Sequence, residues 1–366
     1  MKWLKNKGLF SKLRNNSGII IIVVMWVVVI LSTLVISLSR KTNIELSLTK
    51  YSLAKQKAHY LAWAAFLQAV RMVQLDSQDA DSAQDDNLYY CGVPKKEDLA
   101  LEDMFKDQPL GSGHFSVEYE YLESGAQEGK LVYGMQDEER KINLNAIVAQ
   151  NHTILVALLS IVGVGEEDAK VIVFSLIDWV DEDAVVSQEP YGAENEYYES
   201  LPQAYRPKNR PLESFAELKL VRGMTKEIAQ KLKPHVTIFP QEGGELKVNF
   251  NTASLSVLQA MGRAFTGPAT HTDSSDADSL ALKIIEYRSG EDRIEFTKDD
   301  LFIDIAAMAL NAKERILGLV MNQYRTRISD YLRIRAVGVE DDRGISSSID
   351  AVLRREDLAI VYWKRE

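Results

Sequence analysis

Residues 19–38 read IIIIVVMWVVVILSTLVISL, twenty positions without a charge, and neither glycine nor proline occurs from Ile19 to Asp76. At 1.5 Å per residue those twenty positions span ~30 Å, the thickness of a bilayer's hydrocarbon core. Lys2, Lys5, Lys7, Lys12 and Arg14 precede the run, and Arg40 and Lys41 follow it. The larger upstream cluster predicts residues 1–18 in the cytoplasm and the chain from 42 onward outside. A cleaved secretory signal would have a shorter apolar stretch and a small-residue cleavage site, which SLSRKTN does not resemble. Gly18 stands immediately before the apolar run instead. A cut there would remove a basic leader and leave a chain that begins with its own membrane helix.

Past Arg40 the helical spacing continues through Ile44, Leu48, Tyr51, Ala54, Ala58, Ala62, Ala65, Ala69 and Met72. One helix of about 55–60 residues, roughly 85 Å long, is expected, half in the membrane and half outside. The outer stripe is mostly alanine, a narrow face suited to a sheet or to neighbouring helices; a coiled-coil stalk is the other reading.

The 366 residues suffice for two or three domains. The formal charge is −10, and setting aside the five leader cations leaves −15 on the rest, which argues against generic nucleic-acid binding. A single cysteine, Cys91, excludes an intrachain disulfide and a thiolate cluster, and five histidines show no ligand spacing. There is no G-x-S-x-G, H-E-x-x-H, phosphate-binding G-x-x-x-x-G-K or G-x-G-x-x-G. No enzyme is expected.

The outer part divides by pattern. Residues 76–87 (DSQDADSAQDDN) read as a solvated loop. HFSVEYEY (114–121) and KLVYGMQ (130–136) read as a hairpin around Gly125 and Gly129, and 331–339, 346–353 and 358–363 as closing strands. The fold class is α+β, a long N-terminal helix packed on an antiparallel sheet. Expected segments are a leader at 1–18, a membrane helix at 19–38, an amphipathic helix and first sheet part at 39–140, a helical insert at 141–325 and closing strands at 326–366.

The insert contains a weak repeat. NLNA (143–146) leads through 158–179 to 214–232, and NFNTA (249–253) leads to 279–290 and 295–302, with glycine turns GVG and RGM in the first copy. These look like helix–hairpin–helix (SAM-like) units, so a membrane-tethered DNA receptor is the alternative function. Glu166, Glu167 and Asp168 after GVG would repel phosphate, whereas Lys219, Arg222 and Lys226 flank RGM. Loop 262–279 replaces the second hairpin turn, and Asp273, Asp276 and Asp278 on it read as solvated.

Asp178, Asp181, Glu182, Asp183, Glu189, Glu194, Glu196 and Glu199 fall within 22 residues. Such density is either a solvated acidic loop or a site for a hard cation with oxygen ligands, Ca²⁺ above all. Gly192 would allow a turn there and free a carbonyl.

The basic leader ending in Gly18, the uninterrupted helix behind it, and then NLNA, LIDWVDED, GAENEYY, NRPLESFAELKLVRGM and NFNTA in order resemble the type IV prepilin family. Within it they resemble the protein K family of type II secretion minor pseudopilins. The resemblance implies cleavage between Gly18 and Ile19 by an inner-membrane prepilin peptidase, and a pilin-like sheet. It implies structural calcium in the insert, with Asp181, Asp183 and Glu194 the foremost ligands and Glu189 and Glu199 further candidates. It implies a periplasmic body, minor pseudopilins of types I and J as partners, and a role in exporting folded exoproteins. Most prepilins carry Glu five residues after the cut; here it is Val23. That Glu pairs with a neighbouring subunit's terminal amine, so its absence implies a place at the pseudopilus tip, initiating or capping assembly.

Overall fold

The computed structural model describes residues 17–79, 85–95, 100–121 and 129–366. The leader before Ser17 and the hairpin loop at Gly125 lie outside the described residues. In chain order the elements are α1 (Ser17–Gln78), α2 (Leu101–Phe105), β1 (Gln108–Leu110), β2 (Gly113–Tyr121), β3 (Lys130–Tyr133), β4 (Gln136–Asp137) and β5 (Ile142–Asn143). Then come α3 (His152–Ile161), α4 (Glu166–Val180), α5 (Asn195–Glu199), α6 (Lys226–Leu232), β6 (Val236–Thr237), β7 (Val248–Asn249), α7 (Leu255–Arg263), α8 (Ser274–Arg288) and α9 (Ala312–Met321). The chain closes with β8 (Arg325–Thr326), β9 (Tyr331–Glu340), β10 (Ile345–Arg354) and β11 (Ile360–Arg365).

The chain divides into two units, residues 1–57 and 58–366. In the first, α1 is exposed from Gly18 to Leu53. Among the described residues, α1 alone is long and apolar enough to cross a membrane, as its lack of charge from 19 to 38 anticipates.

In the second unit an antiparallel sheet runs β1-β2-β9-β10-β11, with β3 also on β2 and β4 also on β9. Side chains alternate across a strand, so Leu332, Ile334 and Ala336 of β9 and Ile349, Ala351 and Leu353 of β10 share one face. Against that face lie Ala58, Ala62, Ala65, Phe66, Ala69 and Val73, all buried. Alanine there keeps the helix backbone close. At the closest point a Cβ on Gly338 would stand 2.2 Å from the Ala58 carbonyl oxygen and 2.3 Å from the Ala62 nitrogen. The alanine stripe therefore packs on a sheet.

The helical part lies between β5 and β8, with one apolar core shared by α3, α4, α7, α8 and α9. Each N-x-N opener sits on a two-residue parallel pair: β5 with β6, and β7 with β8. In both, the first Asn side chain accepts from the backbone N–H two residues on, Asn143 from Asn145 and Asn249 from Asn251. The second Asn then crosses to distant backbone. Asn145 bonds Leu212 and Ile238, and Asn251 bonds Asp86 and Ile303. Of the repeat read from the sequence, the two N-x-N openers share this closure. The expected helix start at 295–302 does not form; turns and bends occupy it.

Two acidic segments differ from the sequence reading. Asp273 is the N-cap of α8 in a capping box with Asp276, Asp276 also pairs with Lys313, and Asp278 pairs with Arg263. At the ends of 76–87, Asp76 and Asp86 are buried because Arg355 sits between them, 3.4 Å from Asp76 and 2.8 Å from Asp86. An internal cation makes these acids structural.

Gly338→Val is expected to lower unfolding stability by about 3 kcal/mol, because the new atoms meet helix backbone that cannot yield. Denaturant titration of the full chain in detergent measures this; an unchanged midpoint would mean that the helix is held elsewhere.

Candidate metal centre

The site is a loop, 181–194, strung between two helix ends. α4 starts with Glu166, Glu167 and Asp168, three acids in the favourable first turn, and buries Ile172, Val173, Leu176, Ile177 and Trp179. It stops at Asp181, its C-cap, and the loop re-enters helix at Glu194, the N-cap of α5.

Asp178, fully buried in the last turn of α4, organises the loop. One carboxylate oxygen accepts from the Ser187 backbone N–H at 2.8 Å and from its hydroxyl; the other accepts from Ala193 N–H at 2.6 Å. A Cβ on Gly192 would lie 2.2 Å from that second oxygen, so the position requires glycine. The Gly192 carbonyl, expected to be free, instead accepts from Arg222 at 2.8 Å. Arg222 also rests over the Tyr197 ring, 4.8 Å from its centroid. At the other end Asn209 donates to the Asp183 carbonyl, and Asp183 Oδ1 takes the Val185 N–H at 2.8 Å.

This scaffold brings Asp181, Asp183 and Glu194 together, one oxygen of each within 4.8 Å of the others. Glu194 is only 5% exposed, and neither of its carboxylate oxygens has a hydrogen-bond partner; Asp181 Oδ1 has none either. Burial, then the charges of Asp178, Asp181 and Asp183, pushes Glu194 up to about 7. Burial, then Asp183 and Asp178, pushes Asp181 up to about 6. Buried acceptors without donors, on carboxylates that resist ionising together, are the complement of a hard cation. The residues present fit one.

Glu189 is exposed and Glu199 pairs with Arg206 at 2.6 Å; neither joins the three. Gly18, Ile19 and Val23 lie on the exposed first turns of α1. Asp178 and Arg222 were not expected to hold the loop. Asp178 sits in the helical register that buries Trp179's neighbours, which is the signal that separates it from the loop acids. Arg222 was counted among the cations of the RGM turn. Its engagement with loop carbonyls removes it from the set a phosphate backbone would need.

Residues 140–241 match the family model of Type II secretion system (T2SS), protein K. Proteins named Type II secretion system protein K are similar in part. That of Pseudomonas aeruginosa is 30% identical over 147 residues, covering 38% of this chain and 43% of the relative. That of Aeromonas hydrophila is 38% identical over 97 residues, 26% of this chain and 28% of the relative. The chain thus spans less than half the length of these relatives. Its fold is similar to a solved structure described as the GspK-GspI-GspJ complex from the enterotoxigenic Escherichia coli type 2 secretion system. The TM-score is 0.58 at 20% identity, over 87% of this chain and 99% of that one.

In cation-free buffer the raised carboxyl of Glu194 makes stability fall as pH rises from its ordinary 4.5 to about 7, since the unfolded chain releases that proton first. Urea midpoints of the full chain measured across that range are expected to drop more steeply for the parent than for Glu194→Gln. Identical curves would mean that the carboxyl titrates unperturbed.

Proposed function

We propose that this chain, whose residues 140–241 are recognised as type II secretion protein K, is the minor pseudopilin K of such a system. It is a structural subunit, inserted once in the inner membrane with its N-terminus cytoplasmic and its body periplasmic. The observation that carries the reading is the placement of the protein K match. It sits in a helical insert carried by an antiparallel sheet, and an uninterrupted apolar helix heads the chain. That architecture supports a pseudopilus subunit, in which the helix is both anchor and spine.

In this reading a prepilin peptidase cuts between Gly18 and Ile19, and the mature chain joins minor pseudopilins of types I and J at the tip. There it initiates or caps the pseudopilus that supports export of folded proteins across the outer membrane. Val23, in place of a carboxylate, supports the tip position, because a subunit with nothing stacked above it needs no acid for another chain's amine. The alternative, a tethered DNA receptor, loses support from Arg222, which serves the acidic loop.

Asp181, Asp183 and Glu194 would hold Ca²⁺. Bound there, it supplies charge neutralisation and a cross-link between the end of α4 and the start of α5.

The first test is the N-terminal residue of the mature protein purified from membranes. Ile19 is expected, whereas Met1, or a start near Lys41, would overturn the prepilin route. Val23→Glu is expected to gain nothing in secretion; a marked improvement counts against the tip. Calcium at a hundredfold excess over Kd is expected to add about 2.7 kcal/mol of stability. Asp183→Asn and Glu194→Gln should blunt that gain. A gain equal in parent and variants would remove calcium from this loop.

A further inference from the structure

From the end of β4 towards β5 the run Asp137, Glu138, Glu139, Arg140 turns four charged side chains inward, each at most 7% exposed. Glu138 and Glu139 are hydrogen-bonded, whereas Asp137 is bonded through one oxygen and its Oδ1 has no partner. Asp137 accepts from Thr252, Glu138 from Thr237 and Arg333, and Glu139 from the backbone of Asp330 and Tyr331. Arg140 is 6% exposed, yet among the described residues its guanidinium makes no hydrogen bond or ion pair. Its close neighbour is the Tyr121 ring, 4.6 Å from the centroid, a contact that uses the charge and none of the five N–H donors.

Arg140 lines a cleft of about 500 Å³ in the 58–366 unit, between strands β2, β9 and β10 and the 233–235 turn. The acids of this cleft are largely paired: Asp350 faces Arg333 at 3.4 Å and Glu366 pairs with Lys364. Lys141 is spent on Glu138. Lys233 and Arg335, both exposed at the rim, make no hydrogen bond or ion pair among the described residues. Three cations therefore remain against one unpaired acid, Glu120. The field is felt locally: burial, then Arg140 and Lys141, pushes His235 down to about 4, so the ring stays neutral.

We propose that this cleft is a binding site for a dianionic oxyanion ligand, a phosphate or a dicarboxylate, gripped by Arg140 and closed at the rim by Lys233 and Arg335. A guanidinium that lines the cleft with no protein acceptor keeps its donors free, and its planar fork matches two oxygens of one phosphate or carboxylate group. A surplus of two positive charges matches a ligand carrying two negative ones. The site is independent of the acidic loop and of the place in the pseudopilus.

The test is calorimetric titration of the full chain in detergent, in calcium-free buffer, with sodium phosphate and separately with sodium succinate. Sodium chloride at equal ionic strength is the reference. Saturable binding is expected for at least one of the two, phosphate alone assigning a phosphate ligand and succinate alone a carboxylate. The exposed double variant Lys233→Gln, Arg335→Gln should bind about tenfold more weakly or worse, and Arg140→Gln should lose binding. Where Arg140→Gln fails to fold, the rim variant decides. No saturable heat above the chloride reference, or parental affinity in the rim variant, overturns the proposal.

Discussion

The fold hangs on how closely the outer part of α1 approaches β9. Packed layers are held apart, stacked sheets by about 10 Å, because side chains fill the space between them. Here the space is removed. Gly338 offers no side chain, and Ala58 and Ala62 bring helix backbone to where a Cβ would be. Gly113, on the neighbouring strand, repeats the device beneath Leu61. This close seating limits which helix residues can face the sheet, so alanine recurs at 58, 62, 65 and 69. It also fixes β9, from which the rest is suspended. β9 carries β4 on one flank, and β4 leads directly into the buried Asp137–Glu139 segment where the helical part begins.

That helical part is tied shut twice by the same means. An Asn turns its own backbone, and a second Asn two residues later reaches across to a strand or loop some 50 to 165 residues away. Asn145 and Asn251, whose buried amides both donate and accept, are worth more as locating pins than as net stability, since each exchanges water for protein partners. With both openers pinned, α4 has a fixed end, and Asp178 on its last turn holds the acidic loop from inside. The loop acids are thus presented by a rigid frame, which is what makes their mutual repulsion matter.

Features governed by period were legible in the sequence. The alanine stripe, the strands of the closing block and the apolar run each declare themselves within a few residues. The acidic loop was legible as a dense run of carboxylates, and the structure brings Asp181, Asp183 and Glu194 of it together. What sequence did not reveal depends on distant partners. The burial of Asp86 is decided by Arg355, 269 positions on, and until that cation is placed an aspartate-rich run looks solvated. Asp273 was misread for a different reason: capping boxes and loops draw on the same Ser and Asp residues, so chemistry alone does not separate them. Glu199 carried the right charge but lies within reach of Arg206, which takes it.

The same logic of unpaired charge runs through the molecule's working surfaces. In the helical part, the orphaned oxygens of Glu194 leave acidity without a donor; beside the sheet, Arg140 leaves donors without an acceptor. The buried oxygens of Glu194 cost stability while they lack a partner, and the donors of Arg140 stand open to the cleft. Along the apolar run the rule is inverted. A carboxylate at position 23 would sit in hydrocarbon and demand a partner at a cost of several kcal/mol. Valine makes no demand, so the first turns of α1 can lie in lipid with nothing stacked against them. In the proposed assembly that is the condition of the subunit placed first, whose helix must be content in the membrane before any neighbour arrives.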